Sequence, residues 1–172
     1  MGAAYKLQDL QRLADREIFV DANVLIHLFW STNNQKWETE YAKMYSSLMK
    51  QSNKLYVDFL VVSEVINRML RIEHQKKQPS LTFKQFRDGV DGQQALSDIY
   101  FVVEDQILNQ FTVIGKSFSK TDILSFLNVD SLDFLDKGFL KICQDNSFVL
   151  FTNDKDFKGA NIDVLTCNPA IL

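Results

Sequence analysis

Short apolar blocks alternate with longer amphipathic stretches along this chain. The blocks are rich in β-branched and aromatic residues, which favour strands, and turn-forming residues flank them. Block 55–62 (LYVDFLVV) is almost entirely apolar, which is typical of a strand buried on both faces. The predicted strands are 17–20, 55–62, 111–114, 148–152 and 162–165.

The stretches between the blocks repeat apolar residues every three or four positions, and this period predicts helices that pack by one face. In the clearest case the spacing is set by Trp37, Tyr41, Met44 and Leu48. We expect Ser63 to cap the helix after 55–62, and 76–80 (KKQPS) to be a loop. The predicted helices are 23–30, 36–51, one that begins after Ser63, 82–88, 93–109, 120–127 and 132–145.

Apolar strands that alternate with helices predict an α/β fold with a mainly parallel sheet and helices on both faces. A chain of 172 residues is long enough for one domain with a sizeable core. Ligands of open parallel sheets bind beyond the carboxyl ends of the strands. The residues that follow the predicted strands are therefore the first candidates for chemistry.

Four acidic residues fall at such positions. Asp21 directly follows strand 17–20, and Asp154 follows 148–152 with one residue between. We expect Glu64 in the first turn of the helix after 55–62, and Asp136 in the first turns of the helix that leads to 148–152. Because the carboxyl ends of parallel strands meet at one edge, these carboxylates are predicted to converge.

Convergent carboxylates repel one another. Two of them about 5 Å apart cost roughly 3 kcal/mol at an effective dielectric constant of 20. Protonation relieves the repulsion by raising a pKa, and a divalent cation relieves it better. Ligands that are all oxygen favour Mg²⁺ or Mn²⁺ over Zn²⁺. Such ions activate water and neutralise charge on a phosphodiester, so the pattern favours hydrolysis of phosphodiester bonds.

Each acid also has an ordinary structural explanation. Asp21 could cap a helix together with Asn23, and Asp154 could simply belong to a turn. Asp136 could be a charge on the outer face of its helix. The hypothesis therefore depends on the order and placement of all four acids.

Charge and composition limit the possible partners. The net charge of −3 means that a nucleic acid would have to be held by a local basic patch. Arg68 and Arg71 lie on one helix face with Glu64 and could contact phosphates. Equally, the three could form a solvated row of ion pairs.

Cys143 and Cys167 indicate no disulfide framework. The opening residues, MGAAYKLQDL, lack the apolar core of a secretory signal, and the apolar stretches are too short to span a bilayer. We expect a soluble, cytoplasmic protein without a membrane partner.

Several segments, in this order, resemble the PIN-domain family. They are IFVDANVLI (18–26), VSEVINRM (62–69), DKGFLKICQDNSFVLFTNDKDF (136–157) and NIDVLTCNPAIL (161–172). The first looks like the first strand of the family with its aspartate, and the second like the helix with the second acid. The third looks like an aspartate that opens a helix, then a strand, then Thr-x-Asp-x-x-Phe. The resemblance runs from near residue 17 to the end of the chain.

This resemblance implies a three-layer αβα sandwich, an Mg²⁺ or Mn²⁺ ion, and endoribonuclease activity on single strands. Its candidate metal ligands are Asp21, Asp136, Asp154 and, directly or through water, Glu64. Thr152 and Asn23 would support them, and Asp133 and Asp156 are rival or additional acids.

Many small bacterial members of the family are toxins of VapBC-type pairs. The resemblance thus implies an RNA substrate, an antitoxin protein and a homodimer as partners. The whole of 1–172 is expected to form one PIN-like nuclease domain, with an extra helical segment at about 74–127.

Two other functions remain open at this level. The chain could be a non-catalytic PIN-fold module that binds RNA or protein. It could also be a phosphoryl hydrolase of another acidic-site fold, haloacid-dehalogenase-like or Toprim-like, built on Asp154-x-Asp156 or Asp21-x-Asn23. The haloacid-dehalogenase-like version lacks a second aspartate two residues after Asp21. The Toprim-like version lacks a glycine-rich strand with a glutamate earlier in the chain.

Overall fold

A computed structural model describes residues 2–172 and places six strands in one sheet. The strands are β1 (Ala4–Tyr5), β2 (Ile18–Val20), β3 (Leu55–Asp58), β4 (Thr112–Ile114), β5 (Val149–Phe151) and β6 (Val164–Leu165). Their spatial order is β1-β6-β5-β2-β3-β4, and each neighbouring pair is parallel. The predicted α/β class with a parallel sheet is confirmed.

Seven α-helices connect or follow these strands in the described part of the chain. They are α1 (Ala22–Phe29), α2 (Gln35–Lys50), α3 (Phe59–Lys77), α4 (Phe83–Asp88), α5 (Val90–Val102), α6 (Lys120–Phe126) and α7 (Phe134–Asn146). A π-helical stretch, Val103–Leu108, extends α5, and short 3₁₀ helices cover Leu7–Leu13 and Lys155–Phe157. None of these helices is both long and apolar enough to cross a membrane.

The central strands bury side chains on both faces, which explains their apolar sequences. Phe19 packs on Phe139 of α7, with ring centroids 5.7 Å apart. Phe151, which pairs in register with Val20, packs on Tyr41 of α2 at 5.5 Å. Because successive strand residues point to opposite faces, α7 and α2 cover opposite sides of the sheet. This arrangement is the three-layer αβα sandwich.

The predicted strand 55–62 is wrong in its second half, because β3 ends at Asp58 and α3 begins at Phe59. The Asp58 carboxylate accepts a hydrogen bond from the Val61 amide at 2.8 Å and so caps α3. Ser63, the predicted cap, lies inside the helix. A short apolar run suits a strand and a buried helical turn equally well, and the aspartate within it was the signal that a helix begins.

Two features near the chain ends also differ from the prediction. β1 was not predicted; it pairs through Ala4 and Tyr5 with β6, some 160 positions away in the sequence. A strand of two residues has no periodicity of its own, so its existence depends on its partner. The loop expected at 76–80 is shorter, because α3 continues to Lys77.

The strand order contains one reversal, and it lies between β2 and β5. From β2 the chain proceeds to β3 and β4 on one side, whereas β5 and β6 lie on the other side. Ligands of open α/β sheets bind at the carboxyl edge of such a reversal. Asp21 and Asp154 follow these two strands.

Candidate metal centre

Asp21 is a buried carboxylate, with 5% of its surface exposed. It precedes α1, but its side chain makes no capping hydrogen bond, so the helix-capping explanation does not hold. Its Oδ2 instead accepts hydrogen bonds from Asn23 Nδ2 at 2.7 Å and Thr152 Oγ1 at 2.5 Å. Two neighbours therefore fix the orientation of this carboxylate.

The same two neighbours join the ends of β2 and β5. Thr152 is fully buried, and its Oγ1 accepts from the Asp154 amide at 2.9 Å. Asn23 Oδ1 accepts from the Asn153 amide at 2.9 Å. The Asn153 side chain in turn accepts from Tyr41 Oη at 2.8 Å. Sequence reasoning did not single out Asn153, which has no signal beyond its place between Thr152 and Asp154.

The amino end of α7 supplies a second set of acids. Asp133 is the cap residue, and its Oδ1 accepts from the Asp136 amide at 2.8 Å. Asp154 similarly accepts from the Asp156 amide at 3.0 Å, so it also has the turn role that the sequence allowed. Asp136, Asp154 and Asp156 each offer a carboxylate oxygen within 4.8 Å of the other two. Asp156, which the sequence offered as a rival or additional acid, thus lies with this pair.

Two of these acids have raised pKa values, to which the charges of the neighbouring acids contribute. The pKa of Asp21 is raised to about 6, mainly by burial. The hydrogen bond from Thr152 lowers this pKa, whereas the charges of Glu64 and Asp154 raise it further. Burial also raises the pKa of Asp136 to about 7. The charges that raise it further are those of Asp133, Asp154, Asp21 and Glu64. Without a cation, the folded protein therefore disfavours full ionisation of the cluster.

Glu64 lies in the second turn of α3 rather than the first, because that helix begins five residues earlier, at Phe59. Its Oε1 is 3.2 Å from Arg68 Nη1, so it forms the ion pair that the helix spacing allowed. Its charge nevertheless reaches both Asp21 and Asp136. Within residues 2–172, neither Glu64 nor Asp21 belongs to the group of three acids whose oxygens lie within 4.8 Å of one another.

The two predicted substrate contacts lie further along α3. Arg68 is the partner of Glu64, and its side chain is 48% exposed. The guanidinium carbon of Arg71 lies 4.2 Å from the centre of the Phe83 ring, at the start of α4. Arg68 therefore contacts one of the four predicted acids directly, whereas Arg71 packs on an aromatic ring.

A family model described as the PIN domain matches residues 18–162. The chain belongs to the PIN-domain family. PIN domains are generally nucleases and typically bind divalent metal ions through acidic residues. Because the haloacid-dehalogenase-like and Toprim-like alternatives are other families, this assignment excludes them.

Comparison with solved structures agrees on the fold. The crystal structure of PAE2754 from Pyrobaculum aerophilum is similar, with a TM-score of 0.52 over 91% of this chain and 87% of that chain. At 18% sequence identity this likeness shows the fold alone. A search of curated proteins found no match to this chain.

The acids of this PIN domain fit a hard divalent cation. The clustered donors are all carboxylate oxygens, which Mg²⁺ and Mn²⁺ prefer. Asp21 keeps Oδ1 without a hydrogen bond among the described residues, since both of its side-chain donors use Oδ2. Burial is the main cause of the raised pKa values of Asp21 and Asp136, and neighbouring carboxylates raise them further. A cation at this place would neutralise that negative charge.

Proposed function

We propose that this PIN domain is an endoribonuclease that depends on Mg²⁺ or Mn²⁺, with Asp21, Glu64, Asp136 and Asp154 as its catalytic acids. The observation that supports this most strongly is the acidic cluster at the sheet reversal. Carboxylate oxygens of Asp136 in α7 and of Asp154 and Asp156 in the turn after β5 come within 4.8 Å of one another, next to a buried Asp21 whose pKa is raised. A folded protein maintains such repulsion at a functional site more often than elsewhere.

Asp136, Asp154 and Asp156 would hold the cation, with Asp21 contributing its free Oδ1 and Glu64 acting directly or through water. When bound, the cation would activate water and neutralise charge that develops on the phosphodiester. Thr152 and Asn23 keep Asp21 in one orientation, and Asp133 keeps the amino end of α7 in place. Hydrolysis would add water across the P–O3′ bond and leave a 3′-hydroxyl and a 5′-phosphate.

Cleavage of single-stranded RNA tests this proposal. We expect wild type to cut a mixed-sequence RNA with Mn²⁺ and to stop when the ion is chelated. Asp21→Asn and Asp154→Asn should reduce kcat at least 100-fold, because each removes a charged oxygen donor. Asp15→Asn is the matched control, since Asp15 is exposed and lies before β2, at the opposite edge of the sheet.

Two outcomes would contradict the proposal in different ways. Mn²⁺ binding by wild type without cleavage of any RNA would favour the non-catalytic module. Equal activity of Asp21→Asn and Asp15→Asn would place the chemistry elsewhere in the chain.

A toxin role, an antitoxin partner and a homodimer stay predictions that rest on the resemblance. Expression in a bacterial host tests the first of them. Growth arrest that Asp154→Asn abolishes would support it, and normal growth with active enzyme present would count against it. A small DNA-binding protein encoded next to this gene would support the antitoxin.

A further inference from the structure

A groove of about 410 Å³ lies between the loop after α1 and one face of α3. Its size is within the range of small-ligand sites. It is lined by three cationic side chains, Arg68, Arg71 and Lys76, by the amides Asn33 and Gln75, and by the apolar Ile72. In a chain of net charge −3, this concentration of positive charge in one groove is a local exception.

Arg68 connects the groove to Glu64, one of the proposed catalytic acids. Arg68 lines the groove, and its Nη1 is also 3.2 Å from Glu64 Oε1. Its charge opposes the effect of burial on the pKa of Asp21. Steps of three and four residues put Glu64, Arg68, Arg71 and Gln75 on one helix face. At 1.5 Å per residue this face extends roughly 16 Å from Glu64 to Gln75.

Arg71 is the cation in the groove that is most available to a ligand. Arg68 pairs with Glu64, and Lys76 lies 3.7 Å from Glu73. Within residues 2–172, Arg71 has no carboxylate oxygen within 4.0 Å, and it stacks on the Phe83 ring. A stacked guanidinium keeps its N–H groups free at its edge, where they can donate to two phosphate oxygens.

The opposite wall of the groove is a loop held in one conformation. The amide and hydroxyl of Thr32 donate to Glu38 Oε1 at 2.7 and 3.0 Å, and Lys76 Nζ donates to the Ser31 carbonyl at 2.7 Å. The next residue, Asn33, has φ of 61°, in the left-handed region that asparagine tolerates. A site that is already ordered loses less freedom when it binds.

Two amides complete the chemistry of the groove. Across the described chain, the side chains of Asn33 and Gln75 make no hydrogen bond to another protein group. Each offers one acceptor and two donor hydrogens, which match the edge of an unstacked nucleobase. Ile72 lies with them and provides an apolar surface for the base.

We propose that this groove holds one nucleotide of single-stranded RNA outside the bond that is cut. Arg71, helped by Lys76 and Arg68, binds its phosphate. Its base lies against Ile72, where Asn33 and Gln75 read the base edge. The inference rests on the proposed nuclease function and goes beyond it, because it names the residues that hold the strand and select one base.

Binding of a labelled single-stranded RNA, measured by fluorescence anisotropy in EDTA over a range of salt concentrations, tests the phosphate contact. We expect Arg71→Gln to raise Kd at least fivefold and to reduce the slope of log K against log salt by about 0.7, the value for one phosphate of a single strand. The matched control is Arg12→Gln, since Arg12 also stacks on an aromatic ring, that of Tyr5, at 5.3 Å. If the two variants have the same Kd and slope, the phosphate contact is refuted.

Cleavage of RNAs that differ at one position tests base selection. We expect wild type to prefer one base at that position, and Asn33→Ala and Gln75→Ala to reduce the preference at least threefold, mainly through KM. Unchanged preference in both variants would overturn the base contact. Equal affinity for single-stranded and duplex RNA would overturn the requirement for an unstacked base.

These results also separate the groove from the nuclease. If Asp21→Asn abolishes cleavage while Arg71→Gln behaves like Arg12→Gln, the nuclease stands and the groove does not. If wild type binds RNA through Arg71 but cuts none, the groove stands and the nuclease does not.

Discussion

At the scale of single residues, the pKa of Asp21 results from neighbours that have opposite effects on it. Burial and the nearby charges of Glu64 and Asp154 favour its protonated form, whereas the Thr152 hydroxyl favours the ionised form. Asp136 has a larger shift and no such hydrogen bond among the causes of its pKa. The two acids should therefore make stability depend on pH when no cation is bound.

We expect the metal-free protein to lose stability as pH rises from about 4 to 8. The folded-state pKa values, about 6 for Asp21 and about 7 for Asp136, exceed the ordinary 3.8, so the folded state binds these protons more tightly. Their contribution is full below pH 4 and disappears as pH rises through 6 and 7. Urea unfolding in EDTA at several pH values, compared with Asp21→Asn/Asp136→Asn, measures it. Parallel pH curves for the two proteins would contradict this account.

At the scale of elements, the helices that carry the acids are positioned by their first residues. Asp58 caps α3 and Asp133 caps α7, and both hydrogen bonds go to an amide three residues later. Caps of this kind contribute about 1 kcal/mol each. They fix where each helix begins, and hence the turn on which Glu64 or Asp136 lies.

Gly138 lies inside α7, where a residue with a side chain should make the protein more stable. A Cβ at Gly138 would meet only Phe118 ring atoms, the nearer at 3.5 Å, which is an ordinary contact. Because glycine disfavours helix interiors, we expect Gly138→Ala to raise the free energy of unfolding by about 0.5–1 kcal/mol.

Gly92, in α5, provides the contrast in the same urea experiment. Its Cβ would lie 2.0 Å from the Phe86 carbonyl oxygen, so Gly92→Ala should destabilise the protein. A loss of stability in Gly138→Ala would mean that the Phe118 ring cannot adjust.

At the scale of the whole molecule, the fold brings together acidic residues that are far apart in the sequence. Asp21 and Asp154 are brought together because β2 and β5 are neighbours in register, with Val20 opposite Phe151. α7 covers one face of the sheet and α3 follows β3, so Asp136 and Glu64 join them from two further segments. A ligand that binds all of these segments should stabilise the entire fold.

We expect Mn²⁺ to raise the melting temperature of wild type, because a ligand at 100 times its Kd stabilises the folded state by about 2.7 kcal/mol. Asp136→Asn should respond much less to Mn²⁺. It should nevertheless melt higher than wild type in EDTA, since it removes a half-buried charge that neighbouring carboxylates also repel. Differential scanning fluorimetry measures both effects, with Asp15→Asn as the control. A wild-type melting temperature that Mn²⁺ leaves unchanged would contradict the metal centre.

Much of this architecture could be predicted from local patterns in the sequence. The spacing of Trp37, Tyr41, Met44 and Leu48 predicted α2, and the apolar runs before Asp21 and Asp154 predicted the two central strands. These predictions succeeded because burial on one face or both faces imposes a period that is present within a single element. The placement of acids after strands then followed from the properties of parallel sheets.

Tertiary structure alone decided the features that depend on distant or very short segments. β1 exists through its pairing with β6, and Asp156 lies with Asp136 and Asp154 because a 3₁₀ turn follows β5. The end of β3 at Asp58 is a different case, because periodicity did not locate it but the capping aspartate in the sequence marks it. Local sequence determines which face of an element is buried and where a capped helix begins, but contacts between elements determine whether a very short strand exists and which side chains meet.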